Sequence, residues 1–442
     1  MNINSLHDLN KLFSWALIWS SIESFLYYCI LTTHTFLLFS YASAELYGLQ
    51  GALFASLYLC ITLINGAFDI ALIPVFVKLQ NTSQGRRYLI RNLIIQGLIL
   101  FTLPLVAGLM IYYHFYYDIP TWASSLLNPQ SIMFASALIA TEGTKRNLRA
   151  ILHFLLYYKA LTFLELSNIV IYLSVAWGLI YAHQTITLTV LLVPFFMVSV
   201  ITTAVLALLL IRHHKKHAPT VKNDFNDAQT HKDFLKTRMW SYLNQMSRTL
   251  FSGNFLLPFF SLKVGIAHVG LATLINSLTY VSTSIIQKIL GAVAATLLAH
   301  THQHPRKQEV VGWLINTGNI LSLMFLFLCI ITAPHFFSIS VYALSTNALG
   351  LTLLFFGVHI MESTFVIYEK LLIAQHKAHF LFYLNSAHGA ICLGASYFWN
   401  KNSLSLLLIF YLLSRLVFLT IFKKLYDRSS TKKDAQKKFP LI

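Results

Sequence analysis

Measured against a soluble protein, this chain is short of charge. Asp, Glu, Lys and Arg make up 11% of its 442 residues, against about 25% in soluble domains. Acids are scarcer than bases, 15 against 32. The four cysteines, Cys29, Cys60, Cys329 and Cys392, fall far apart inside apolar runs. Such placement excludes a disulfide framework and spaced zinc ligands, and reads as small buried residues. The chain has no Gly-Lys-Ser/Thr phosphate loop, no His-Glu-x-x-His helix and no Gly-x-Ser-x-Gly elbow. ATP hydrolysis by a P-loop, the zinc-peptidase helix and the serine-hydrolase elbow are thereby excluded. His300, His302 and His304 alternate without a nearby acid or thiol, so no metal or cofactor is expected.

What the chain has in excess is apolar length. Hydrophobic residues are 57% and mean hydropathy is +0.65. Twelve apolar stretches lie at 12–38, 49–77, 89–113, 131–157, 161–182, 187–211, 239–262, 267–299, 308–333, 347–372, 380–399 and 402–422. Each is about 20 residues or longer, enough to cross ~30 Å of hydrocarbon at ~1.5 Å per residue. The first has no small-residue cleavage site behind it and reads as a retained span, not a signal peptide. The expected fold is an all-α polytopic membrane protein.

The net charge of +17 invites a nucleic-acid reading, but its placement opposes one. Lys78, Arg86, Arg87 and Arg91, then the run from Arg212 to Arg238, then Arg306 and Lys307 occupy alternate loops. The tail from Lys423 to Lys438 is basic as well. That alternation is the positive-inside pattern with both termini cytoplasmic, and anionic lipid is the expected partner of the tail. The hydrophilic segment 212–238 then joins two lobes of six helices, 1–211 and 239–422, with 423–442 as the tail. Six is even, so both lobes insert in the same sense. Tyr112, Tyr113, Phe115, Tyr116, Tyr117 and Trp122 crowd the longest outer loop and read as an interfacial aromatic belt.

The two halves repeat. Gly48 and Gly270 lie half a chain apart, and each is followed by a polar ladder: Tyr58, Thr62 and Asn65 in one half, Tyr280, Ser284 and Gln287 in the other. Steps of three and four put each ladder on one helix face. A polar stripe inside a lipid-soluble helix should face protein or water.

Charges within spans cost about 2.5–3.5 kcal/mol each at mid-membrane, so each needs a partner, water or a role. Glu23 lies deep in the first span beside Ser20, Ser24 and Tyr27; Arg248 lies as deep in the seventh, beside Ser241, Gln245 and Ser252; Lys288 adjoins Gln287 in the eighth. Either these line a hydrated cavity, or Glu23 and Arg248 form a structural ion pair. The fourth span carries Glu142, Lys145, Arg146 and Arg149, with Glu142 and Arg146 spaced for an i,i+4 pair; the tenth carries Glu362, Glu369 and Lys370. If the fourth helix is full length, Glu142 and Glu362 face the interior and Arg146 and Arg149 line it. If it starts earlier, near Ile119, the basic run is a cytoplasmic loop. A cation-lined cleft suits an amphiphile with an anionic head, because Arg and Lys pair phosphate oxygens while the tail stays in lipid.

The Glu45-Leu46-Tyr47-Gly48 turn with Asp69 beyond it, and the Gly265, Val269, Gly270, Ala272 turn after the seventh span, resemble the two lobes of polysaccharide flippases. These belong to the multidrug/oligosaccharidyl-lipid/polysaccharide (MOP) exporter superfamily, and the likeness in layout covers essentially the whole chain. The resemblance implies two pseudo-symmetric six-helix bundles, alternating access, and export of an undecaprenyl-diphosphate-linked glycan across a prokaryotic inner membrane, alongside other polysaccharide-assembly proteins. It implies no enzyme activity. On that reading the diphosphate meets Arg248 and Lys288 with Arg146 or Arg149, and Gln245, Gln287, Asn65, Tyr58 and Tyr280 line the path. Glu23, Glu142 and Glu362 are then candidates for coupling H⁺ or Na⁺. Two alternatives stay open: a cation-coupled drug exporter using Glu23, and a membrane glycosyltransferase or polymerase. The latter class usually needs a large outer loop with acids, where this chain offers Asp118.

Overall fold

A computed structural model describes residues 14–23 and 57–72 in part, 82–114, 128–183, 188–216, 227–250, 378–398 and 409–421, with isolated positions at 26, between 312 and 327, and at 357, 369, 372 and 424. Among the described residues every regular element is a helix. These are α1 (Ser83–His114), α2 (Pro129–Phe154), α3 (Tyr158–His183), α4 (Leu188–Lys216), α5 (Asp227–Leu250) and α6 (Ala378–Phe398). Shorter helical pieces lie within 57–72 and at Ile409–Ile421.

Among the described residues, three stretches are long and apolar enough to cross a membrane: Ser83–His114, Tyr158–Ala182 and Leu192–Lys216. They coincide with the third, fifth and sixth apolar runs of the sequence. α2 has a comparable length but carries Glu142, Lys145, Arg146 and Arg149. It starts at Pro129, whose fixed φ suits a first helical position. Asn128 caps it, accepting a hydrogen bond from Ser131 N at 2.8 Å. The start near Ile119 is therefore ruled out, and the basic run is helical.

The chain divides into two compact units, residues 29–242 and residues 1–28 with 243–442. The first span thus shares a unit with the second half of the sequence. Much of the basic segment 212–238 is helical, because α4 runs to Lys216 and α5 begins at Asp227.

In the 29–242 unit, α2 is the central helix, packing on α1, α3 and α4. Small residues let it approach α1. A Cβ at Gly143 would stand 2.7 Å from Leu100 Cδ1, and one at Gly108 2.6 Å from Ile132 Cγ2. Gly108 is therefore a packing position, as is usual between membrane helices; α1 runs unbroken past it and past Pro104. The face of α1 bearing Gly85, Leu89, Gln96 and Leu100 is buried. Its opposite face exposes Ile94 and Leu98, as a lipid-facing helix must. Arg86 Nη1 donates to His214 O at 3.0 Å, and hydroxyl–imidazole contacts join Tyr157 to His213 and Tyr88 to His231. The starts of α1 and α5 and the ends of α2 and α4 therefore meet at one end of the unit.

Candidate functional site

The second span is interrupted. It is helical to Asn65, turns at Gly66 and Ala67, and resumes at Phe68. Gly66 has φ 56° and Ala67 φ 53°. Glycine takes the left-handed region freely, but an alanine there costs roughly 1–2 kcal/mol and must be held by its surroundings. A turn inside a helix frees carbonyls from the helical ladder, and buried carbonyls need donors. Gln96 Nε2 of α1 donates to Ile64 O and Asn65 O at 3.2 and 3.3 Å. Arg238 of α5 donates through Nε to Gly66 O (3.1 Å) and through Nη2 to Asn65 O (3.2 Å) and Gln96 Oε1 (2.7 Å). Its guanidinium also lies 5.4 Å from the centre of the Phe68 ring, a favourable cation–π distance.

Beside this turn, the polar ladder faces α2. Asn65 and Asn147 exchange amide hydrogen bonds at 3.0 and 2.9 Å, and Asn65 Nδ2 also donates to Asp69 Oδ1 at 3.1 Å. Arg146 donates through Nε to Asp69 Oδ2 (2.8 Å) and through Nη1 to Thr62 Oγ1 (3.4 Å). Thr62 and Asn65 thus turn toward protein, as a stripe within a membrane helix should.

Glu142 does not pair with Arg146. The carboxylate takes Lys145 Nζ at 2.9 Å, three residues on, while Arg146 reaches across to Asp69 on the neighbouring helix. Arg149 pairs with Glu165 of α3 at 2.9 Å, and its Nε donates to His153 Nε2. Each base of the α2 run therefore has an acid, and Arg238 is held by carbonyls and an amide. Among these described contacts, Lys145, Arg146, Arg149 and Arg238 are the bases and Glu142, Asp69 and Glu165 the acids. Arg146 is the most open of the three paired bases, with 36% of its side chain exposed against 17% for Lys145 and 18% for Arg149.

The other unit has its own network. Asn244 of α5 donates to Glu369 Oε1 at 2.9 Å and accepts from Asn385 Nδ2 at 2.9 Å, and Arg415 Nη1 donates to Asn385 Oδ1 at 3.2 Å. All four side chains are buried. In the first span Glu23 is 1% exposed and Ser20 2%, so this carboxylate is interior. Gln245 is half-buried, and its Oε1 meets no donor among the described residues.

Of the residues singled out by sequence, the structure brings together Asn65, Arg146, Glu142 and Arg149 on or beside α2. Glu23 and Gln245 belong to the other unit. Tyr58, Tyr280, Gln287, Lys288 and Glu362, and the side chain of Arg248, lie outside the described residues. Sequence reasoning missed Gln96, Asn147, Glu165, Arg238, Asn244, Asn385 and Arg415 as participants. Arg415 was visible as a lone base in the twelfth apolar run; the amides carry no charge to mark them.

A multi-pass helical membrane protein with ionic networks inside its helices is the class these features define. No known protein family matches the sequence, and no curated protein does. Solved structures match the fold along nearly the whole chain. A multidrug resistance MATE family transporter of the MOP superfamily, in an outward-facing conformation, superposes with a TM-score of 0.71 at 14% identity over 96% of both chains. A MOP superfamily transporter from Pyrococcus furiosus, for which reversed polarity of the binding pocket suggests a different function, gives 0.69 at 13% identity over 98% of this chain and 97% of its own. A Vibrio cholerae MATE transporter in its bent form gives 0.69 at 11% identity over 94% and 97%. At such identities the likeness is one of fold: all-α, membrane-embedded, of the twelve-helix MATE type.

Proposed function

We propose that the chain is a MOP-superfamily transporter, not an enzyme, working by alternating access with a lipid-linked oligosaccharide diphosphate as cargo. The superfamily follows from the whole-length fold likeness. The cargo follows from the row of bases on α2, and from Arg146 above all. Pairing with Asp69 lowers the cost of keeping that guanidinium inside a membrane protein while the site is empty. Its 36% exposure leaves an edge from which a diphosphate can take over the carboxylate's place, since phosphate oxygens and carboxylates fit the same fork. Arg149 supports the site from the next turn, and Arg248 and Lys288 are further anion ligands by sequence. Binding shifts the population between inward- and outward-facing states. The glycan crosses an inner membrane in a protein with cytoplasmic termini, while the lipid tail stays in the bilayer.

A second reading, a cation-coupled drug exporter, rests on the buried Glu23 carboxylate and the Asn244–Glu369 pair, which suit a cation better than an anion. One experiment divides the two. The protein is reconstituted in liposomes containing undecaprenyl-diphosphate-linked oligosaccharide, and glycan appearing in the opposite leaflet is scored beside gradient-driven efflux of a lipophilic cation. The proposal expects flipping that falls about ten-fold or more in Arg146→Gln, the scale of one charge-assisted phosphate contact. Flipping unchanged in that variant would sink the assignment of the anion site. Cation efflux that depends on Glu23, without flipping, hands the function to the second reading.

A further inference from the structure

We propose that the outer face of α1 carries a built site for an anionic phospholipid of the surrounding bilayer, with Arg87 and Arg91 holding its phosphate and Ile90, Ile94 and Ile95 carrying an acyl chain. These five residues line one groove of roughly 370 Å³. Arg87 and Arg91 are one helical turn apart, as are Ile90 and Ile94, so bases and apolar residues form adjacent rows on one face. α1 turns Gly85, Leu89, Gln96 and Leu100 inward, and the groove lies away from that packing face. Both arginines are exposed.

Among the described residues neither Arg87 nor Arg91 pairs with an acid, and α1 contains no Asp or Glu. Arg86, one residue earlier, differs: its Nη1 donates to His214 O, which spends it on packing. The arginines also sit at the right depth. From Arg91 to the end of α1 at His114 the helix rises roughly 35 Å, about the thickness of the hydrocarbon, so the pair falls at the headgroup level. Helical side chains lean toward the N-terminus, and the long arginine side chains can snorkel toward the headgroups, with Ile94 and Ile95 on the tail side of Arg91.

That order of charge, then apolar track, fits a lipid and no simpler anion. Free phosphate would satisfy the guanidiniums but leave Ile90, Ile94 and Ile95 uncovered. The exposed apolar face continues at Leu98, 58% exposed, where a soluble acidic partner cannot follow. Two arginine forks bind a phosphodiester with fixed geometry, whereas lysines act as point charges. A built site is thus distinguishable from the general attraction of basic segments for anionic membranes.

The test is native mass spectrometry of the full chain, purified in detergent and titrated with phosphatidylglycerol or with phosphatidylcholine of the same acyl chains. The wild type should retain phosphatidylglycerol preferentially. Arg87→Gln with Arg91→Gln should weaken its tightest binding about ten-fold or more. The double lysine variant keeps both charges and should still lose much of the affinity. Ile94→Trp keeps both arginines, fills the tail track and should also weaken binding. Thermal unfolding reports that each variant is folded, and these positions are exposed enough to tolerate change. Equal retention of the two lipids overturns the proposal, as does wild-type affinity in the double Gln variant or in Ile94→Trp. Full affinity in the double lysine variant reduces the site to surface charge and overturns it equally.

Discussion

Arg146 and Asp69 form an ion pair of unequal exposure, and that inequality decides what each does to stability. Asp69 keeps 12% of its side chain exposed and Arg146 36%. Removing the base leaves a carboxylate enclosed by Asn65 and α2; removing the acid leaves a guanidinium that water still reaches. Arg146→Met should therefore destabilise by about 1–3 kcal/mol, the cost of stranding a mostly buried polar group. Asp69→Asn should cost less, because an amide oxygen still accepts from Arg146. The Arg146→Met, Asp69→Asn double variant should be more stable than Arg146→Met alone. Thermal unfolding in detergent reads all three, and strictly additive losses would contradict the pairing. The partner of Arg146 was not legible in the sequence. Glu142 at i−4 is as good a match by spacing as Asp69, and only the neighbouring helix brings the second carboxylate to 2.8 Å. Lys145, at i+3 from Glu142, takes the acid that spacing had assigned to Arg146. The charges themselves were legible, since a base or acid in an apolar run stands out. The amides that complete the networks, Gln96, Asn147, Asn244 and Asn385, did not, because an amide in a span is inexpensive enough to be unremarkable until its partner is seen.

At the scale of elements, hydropathy located the helices better than it located their ends. The third, fifth and sixth apolar runs became spans within a few residues at most boundaries. α5 starts at Asp227, well before the apolar run that begins at 239, because its first turns are amphipathic and polar; a hydropathy reading cannot see a helix continuing past the membrane's edge. The break at Gly66 and Ala67 was equally hidden, since it depends on donors from α1 and α5 that the second span does not contain. The helix pair α1 and α2, packed together through Gly143 and Gly108, makes its own prediction. Gly143 lies against Leu100, which is fully buried, and an added Cβ would stand 2.7 and 2.9 Å from its two methyls. Gly143→Ala should destabilise by about 1–3 kcal/mol through overpacking. Leu100→Ala alone opens a cavity and should cost about 2–5 kcal/mol. Combined, the two should cost less than their sum, because each supplies what the other lacks. A double-mutant cycle by thermal unfolding checks this. Additive losses would mean that the two helices do not meet through this contact.

At the scale of the whole molecule, the fold was legible because a membrane narrows the choice. A chain this apolar has to satisfy its backbone within helices or a closed barrel, and runs of about 20 residues select helices. The half-chain repeat and the paired glycine turns then resembled one superfamily, and the solved structures agree with that fold over nearly the whole chain. Cargo was less legible, since the residues that would choose it act through pairings between helices. Orientation rests on charge placement alone and can be tested directly. α1 ends at His114 and α2 begins at Pro129, while α4 ends at Lys216 and α5 begins at Asp227. Three helices, α2, α3 and α4, separate the two connections, so the connections must face opposite sides of the membrane. Arg212, Lys215, Lys216, Lys222 and Lys232 gather around the second connection, and the positive-inside rule predicts that it faces the cytoplasm. With the four native cysteines replaced by serine, Asp118→Cys in intact cells should react with a membrane-impermeant maleimide. Lys222→Cys should react only after permeabilisation. Labelling of both positions from one side would contradict three crossings by α2, α3 and α4. Labelling of Lys222→Cys alone in intact cells would invert the protein. The end of the 29–242 unit where Arg86 meets His214 would then face outward, and a cavity filled from the cytoplasm would have to load past Gly108 and Ile132 instead.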